Sequence, residues 1–553
     1  MPRAHSHDPQ PVFDTAPLDI HAPEFEKIAA EHSFVPPRHP GSAGESRRVC
    51  NVYLNDPELQ RLYPLGLLPL GQRHFFSWLT SHGRRDQRLR DEEIYGFLRT
   101  SAEEQTNGLI LTYLLQPAWQ EKFPRALTPA GWNDFRAWLA SVYGQFLAPL
   151  PTDVPPALSA QEQEALDRSI MPPSAAGATF RGVNVISHFC NPSGIQQAAL
   201  WTKTALERAG LGTSCRDVPV PRRIIPDDRD RWLGLEIFPI TILTHAAAPY
   251  FLTAYERSGL FRRPHVYRIA YWAWELETVP DDWVQAAELV DEIWSPTQFV
   301  AKAMRARMPR PVFEMLPGVE AGPIEEMRRA SFDIPEHHFV FLFMFDLHSQ
   351  LHRKNPAAVV RAFQTAFRPN DAATLLIKTT GGDIHAADLA QLRQIAQGPN
   401  IVLFDQSVSR AQAYGLIAMA DCFVSLHRSE GFGLGLAEAM LLGKPVIATG
   451  YSGNLDFMNR ENSLLVDYQI TQIEEDRPIY TRGHFWAEPS VEQAASYMRE
   501  VYERPDEARA RAARARPETE KLLSLDAAGQ RMRKRLEEIV ASWKGGSRPE
   551  QRG

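Results

Sequence analysis

Apolar positions follow two different rhythms along this chain. Up to about residue 143 they recur three and four residues apart, the spacing of one helix face. This predicts helices over 71–82, 91–100 and 128–143, with Asp56 capping a helix that has Pro57 in its first turn. In the last of these segments Trp132, Phe135, Trp138, Leu139 and Val142 share one face, and Trp78, Trp119, Trp132 and Trp138 are expected to form a core. Beyond about residue 182 the apolar residues gather into short runs separated by helix-length stretches. Strands are predicted at 182–188, 237–244, 266–271, 290–294, 312–317, 339–345, 374–378, 401–404, 421–427, 446–449 and 464–466. Helices are predicted at 196–209, 357–367, 407–419, 492–502 and 527–543. Strands alternating with helices imply parallel sheets covered on both faces, an α/β fold. The proline clusters at 148–177 read as a linker between the two rhythms.

Composition narrows the class. With 553 residues the chain has room for two or three domains, and its 44% hydrophobic and 23% charged residues are ordinary for a globular protein. A formal net charge of −7 argues against a general nucleic-acid binder. The 4 cysteines are far apart and form no CxxC pair, which fits a reducing cytosol rather than a disulfide framework or a zinc site. No apolar run approaches the roughly 18 residues of a membrane span, and the start of the chain lacks a signal-peptide core. His5 and His7 have no third ligand beside them and read as part of a flexible tail.

The densest chemistry lies between the predicted strands at 421–427 and 446–449. It reads Ser429-Glu430-Gly431-Phe432-Gly433-Leu434-Gly435-Leu436-Ala437-Glu438. This is a strand, a tight glycine loop and a helix, and ligands of open α/β sheets bind at such strand ends. Gly431 and Gly433 allow close approach to the backbone, and the helix start directs N–H groups at an anion. Glu430 and Glu438 flank that anion site and accept hydrogen bonds from hydroxyls. A ligand with hydroxyls at both ends and phosphate between them is a nucleotide sugar. Taken alone, the E-x7-E spacing also fits a helix cap with solvated glutamates.

This stretch, with Gly450-Tyr451-Ser452-Gly453-Asn454 after the next strand, resembles the donor-binding signature of retaining GT-B glycosyltransferases of the family-4 kind. The resemblance implies a GT-B architecture of two Rossmann-like domains, here preceded by an α-helical accessory domain. The expected divisions are a tail at 1–24, the helical domain at 25–147, the linker at 148–177, an acceptor-side domain at 178–317, a nucleotide-sugar domain at 318–505, and C-terminal helices at 506–545 whose last member returns to the first Rossmann-like domain. The resemblance assigns Glu430 to the donor sugar and Glu438 to the ribose, with Gly431, Phe432, Gly433 and Leu434 lining the donor. It makes Arg353 and Lys354, after the strand at 339–345, the basic pair that holds the diphosphate. It makes Gly194 part of the glycine loop on the first strand, and His245 a histidine that faces the cleft and assists the reaction. Trp274 and Glu275, just past the strand at 266–271, are acceptor-side candidates; packing at the domain seam is the other reading of the tryptophan.

The implied function is transfer of a sugar from a nucleoside diphosphate to a hydroxyl of a glycan or lipid-linked glycan, with retention at the anomeric carbon. The setting would be the cytoplasm, in surface-glycan assembly. No metal or other cofactor is expected, because protein cations serve the leaving group; the Asp228-Arg229-Asp230 string follows no strand and reads as a coincidence. The arginines at 509, 511, 514 and 516 make peripheral contact with an anionic membrane a candidate, although interspersed acids favour a solvated face. Two rival readings remain: a GT-B-shaped binding protein without catalysis, and a dinucleotide-dependent oxidoreductase. Against the latter, the central glycines run G-x-G-x-G and come late in the chain.

Overall fold

The computed structural model describes residues 18–37, 56–103, 129–143, 182–190, 193–218, 238–244, 266–477 and 479–543, with isolated residues between them. His5, His7, the expected linker at 148–177, Asp228, Asp230 and His245 lie outside the described residues.

The N-terminal region is helical, with α1 (Glu24–Glu31), α2 (Pro57–Leu62), α3 (Pro69–Trp78), α4 (Asp91–Glu103) and α5 (Pro129–Tyr143). Asp56 accepts the Leu59 amide at 3.1 Å, which fixes the start of α2. Phe25, Phe75, Phe76 and Phe97 form one apolar cluster and Trp119, Trp132, Phe135 and Leu139 a second. Trp78 and Trp138 pack against these clusters from half-buried positions. Val142 is 50% exposed. It shares a helical face with Trp132 and Leu139, but α5 has run past its cluster by the final turn.

Two six-stranded parallel sheets follow. The first contains β1 (Gly182–Ser187), β2 (Gly212–Asp217), β3 (Ile240–Thr244), β4 (Tyr267–Tyr271), β5 (Glu292–Ser295) and β6 (Val312–Glu314), in the order β2-β1-β3-β4-β5-β6. The second contains β7 (Phe339–Met344), β8 (Ala373–Thr379), β9 (Ile401–Asp405), β10 (Cys422–Ser425), β11 (Val446–Thr449) and β12 (Leu464–Val466). Its order is β12-β11-β10-β7-β8-β9, so the chain reverses direction across the sheet between β7 and β10. This is the doubly wound Rossmann arrangement, and the reversal opens a crevice at the carboxyl ends of β7 and β10. All 7 residues of β8 are buried, as befits a strand covered on both faces.

Helices cover the sheets. α6 (Gly194–Arg208), α7 (Asp282–Ala287) and α8 (Gln298–Arg305) belong to the first half. α9 (Pro356–Ala366), α10 (Ala386–Ile395), α11 (Arg410–Met419), α12 (Leu434–Leu441), α13 (Val491–Glu503) and α14 (Pro505–Leu523) belong to the second. The basic run at 509–516 thus lies on α14, whose Ala508, Ala512 and Ala515 are buried. α15 (Leu525–Ser542) packs back on α6 in the first half. There Arg535 pairs at 2.6 Å with Glu292, a fully buried carboxylate that also accepts from Tyr267 and from the Trp294 indole. A two-stranded antiparallel hairpin, β13 (Tyr468–Gln472) with β14 (Phe485–Pro489), stands beside the second sheet. No described helix is long and apolar enough to cross a membrane.

Candidate active site

Two loops meet at the crevice of the second sheet. The loop after β7 ends in one helical turn, Leu351–Lys354, and then Asn355 adopts a left-handed φ of 56°. Asn355 caps α9 by accepting the Ala358 amide, and Pro356 takes the first helical position, so the chain turns sharply just after Arg353 and Lys354. The loop after β10 runs alongside: the Arg428 amide donates to the Arg353 carbonyl at 2.8 Å, and the Arg428 guanidinium to the His352 carbonyl at 2.6 Å.

These contacts bring Glu430 onto the basic pair. Lys354 Nζ donates to Glu430 Oε1, and Arg353 Nη1 donates to Glu430 Oε2 at 3.0 Å and to the Ser429 carbonyl at 2.9 Å. Burial pushes the Glu430 carboxyl up, but the Lys354 and Arg353 cations outweigh it and hold the group down at about 2. Burial and the neighbouring Arg353 pull Lys354 down, with Glu430 working against them. Arg353 is enclosed by protein, 4% exposed, whereas the Lys354 side chain keeps 18% exposure. An ammonium carries three N–H donors, so one bond to Glu430 leaves two for a ligand. Arg353 sends its guanidinium into protein groups and supplies the site chiefly with charge.

The glycine loop is locked from behind. The Ser452 hydroxyl accepts the Glu430 amide at 2.8 Å, and the Gly453 amide donates to the Glu430 carbonyl at 2.9 Å. Gly433 starts α12 with φ 94°, a left-handed conformation that favours glycine, and no side chain caps the helix. Phe432 packs on Phe457 with ring centroids 5.0 Å apart. Leu434, the first residue of α12, is half-buried against the core. Glu438 lies inside α12, 3% exposed, where its carboxylate meets the Arg410 guanidinium and, at 3.4 Å, the Tyr414 hydroxyl. Arg410 is flanked by the rings of Tyr414 at 5.1 Å and of Trp201, from the first half, at 5.7 Å.

The first half supplies the opposite wall. Gly194 opens α6, beside Ser193, which caps that helix, and open space surrounds its Cα where a side chain would stand. Trp274 is 3% exposed; its indole donates to the Thr278 carbonyl and its ring packs against Trp283 and Tyr480. Its ring is therefore part of the seam between the halves and not a platform for sugar. Glu275 accepts the Tyr480 hydroxyl at 3.1 Å.

Several residues of this site carry no motif. Tyr480, Thr297 and Arg410 lie far from the glycine loop in sequence, and His427 lies just past the end of β10. His427 is buried and held neutral by burial, its ring between Ser425, the Tyr451 carbonyl and Asn454. A polar residue in the apolar run 421–427 was the one available signal for it. Among the described residues no cluster of three His, Cys, Asp or Glu is arranged to hold a metal ion.

Residues 338–475, which carry β7 to β13 with Arg353, Lys354, Glu430 and Glu438, match the family described as Glycosyl transferases group 1. No curated protein matches the chain. Among solved structures, a glycosyltransferase from Rickettsia africae is 13% identical with a TM-score of 0.50, over 66% of this chain and 99% of that one. Sucrose-phosphate synthase from Thermosynechococcus elongatus is 15% identical with a TM-score of 0.48, over 66% of this chain and 100% of its own. Anabaena HepE, in complex with UDP and glucose, is 12% identical with a TM-score of 0.45, over 65% of this chain and 100% of its own. The chain thus has the GT-B fold, and the half that holds the Glu430 crevice carries the segment similar to the Glycosyl transferases group 1 family.

Proposed function

We propose that this protein is a retaining glycosyltransferase of the family-4 kind, which moves a sugar from a nucleoside diphosphate to a hydroxyl of a growing or lipid-linked glycan. The observation that carries the reading is the convergence of Lys354, Arg353 and Glu430 at the switch point of the second sheet. Cations beside a glycine loop suit a diphosphate, and a buried ionised carboxylate suits sugar hydroxyls. In this reading the bond between the anomeric carbon and the phosphate oxygen breaks through an oxocarbenium-like state. The two N–H groups of Lys354 not used by Glu430 stabilise the departing phosphate, with Arg353 adding charge from behind. The acceptor hydroxyl attacks from the same face and gives its proton to that phosphate, which leaves the anomeric configuration unchanged. Glu430 orients the sugar, and Glu438 takes the ribose once Arg410 has moved aside. His245 remains the candidate for assisting at the sugar, and Gly194 for the approach of the diphosphate. The proposed setting is the cytoplasm; contact of the α14 arginines with an anionic membrane face is a candidate, against which the interspersed acids favour a solvated face.

A thermal-shift screen against UDP-, GDP- and dTDP-sugars tests the reading. One nucleotide class is expected to raise Tm, and Glu438→Ala is expected to abolish the shift. Transfer is expected to survive EDTA. No shift with any of the donors, or loss of transfer on chelation, would overturn the assignment.

A further inference from the structure

Glu275 belongs to the first half but serves the second. Its carboxylate accepts the Tyr480 hydroxyl at 3.1 Å and lies 3.7 Å from Arg353 Nη2. Its backbone carbonyl accepts the Ser429 hydroxyl, one residue before Glu430. On the other side of the glycine loop Thr297, also from the first half, donates to the Gly431 carbonyl at 2.8 Å. The loop that carries Glu430 is therefore gripped from both sides by the opposite half.

Charge makes this grip consequential. Arg353 and Lys354 face two carboxylates, Glu430 and Glu275. With the halves together the cluster balances. Were Glu275 drawn away, both cations would compete for Glu430, and a buried guanidinium short of a partner is costly. Glu430 would then be pulled toward Arg353 and away from Lys354. We infer that Glu275 is a positioning residue: it couples contact between the two halves to the alignment of Glu430 and Lys354. This rests on the glycosyl-transfer reading and extends it, since it makes transfer conditional on closure.

The test compares wild type with Glu275→Gln, which keeps the shape and removes the charge, and with Tyr480→Phe, which removes one oxygen atom. In steady-state transfer, Glu275→Gln is expected to lower kcat about tenfold or more while KM for the nucleotide sugar changes less than about threefold, the pattern of lost alignment and not of lost binding. Tyr480→Phe is expected to move kcat the same way by less, and Glu275→Asp to recover part of it. Small-angle X-ray scattering with nucleotide diphosphate present is expected to show Glu275→Gln more extended than wild type. Unchanged kcat in Glu275→Gln would overturn the inference. If wild type transfers none of the sugars, the transfer reading has failed, and scattering alone decides: a Glu275→Gln profile identical to wild type overturns the coupling, and an extended one supports it.

Discussion

A lysine that neutralises a carboxylate uses one of three donors, and in the proposed transfer the remaining two make Lys354 the residue on which the chemistry would most depend. One preorganised donor to a developing anion contributes about 3–4 kcal/mol. Lys354→Ala is therefore expected to lower kcat on the order of a hundredfold or more, read in single-turnover transfer, with the fold intact by circular dichroism. Near-normal turnover would remove Lys354 from the mechanism. Glu430 makes a separate statement about stability. Its carboxyl is held at about 2 against an ordinary 4.5, so between those values the unfolded chain binds the proton more readily. Its stabilising contribution is complete above about pH 4.5 and is lost as pH falls toward 2. Calorimetry is expected to show Glu430→Gln less stable than wild type at neutral pH, because Lys354 and Arg353 lose their partner, with the gap closing on acidification. The residues of this cluster were unequally legible in the sequence. Glu430 and Lys354 each lie in the loop between an apolar strand and the helix that follows it, Glu430 beside the glycines and Lys354 in a basic pair, and both patterns stand out. Tyr480 meets Glu275 across 205 positions of sequence, from a polar segment with no period, and only the folded chain brings them together.

At the scale of elements the site depends on how closely two loops press together. A Cβ built on Gly453 would lie 2.2 Å from the Gly431 carbonyl oxygen and 2.9 Å from that of Glu430. Both are backbone atoms and cannot step aside without moving the Glu430 loop. Gly453→Ala is expected to reduce transfer by more than it reduces Tm, and a variant with full activity would show that the loops have slack. Legibility at this scale follows burial. β7 is apolar throughout and β8 carries the apolar run Leu375-Leu376-Ile377, so both were readable because both faces are covered. β2, Gly-Thr-Ser-Cys-Arg-Asp, escaped because it is a polar strand at the sheet's edge. The β13–β14 hairpin escaped because its first strand faces solvent. α14 was visible only as a run of arginines: Ala508, Ala512 and Ala515 are among its buried positions, alanines give a weak apolar signal, and Pro517 lies within it. α11, expected from 407, starts at Arg410, where Ser409 and Gln412 form a reciprocal capping pair.

At the scale of the whole molecule, the two sheets are tied by a returning helix and a titratable seam. α15 is anchored in the first half through Arg535 and the buried Glu292, and the chain crosses between halves where the Val319 amide donates to the Leu523 carbonyl. Farther out, Asp456 of the second half accepts the Gln298 amide, in the first turn of α8, at 2.8 Å. Burial raises the Asp456 carboxyl to about 6; the Gln298 amide opposes this and Glu314 adds to it. The sign is opposite to that of Glu430. Because the folded value lies above the ordinary 3.8, the folded state holds the proton more tightly, and the stability this gives is full below about 3.8 and lost as pH rises through about 6. Asp456→Asn keeps an acceptor oxygen for Gln298 and removes the charge. It is expected to melt at a higher temperature than wild type at about pH 8 and at the same temperature near pH 4, as measured by calorimetry at fixed ionic strength. Were the partial positive charge of the α8 terminus to outweigh burial, wild type would be the more stable protein at the higher pH. The comparison therefore decides which of the two effects governs the contact between the halves.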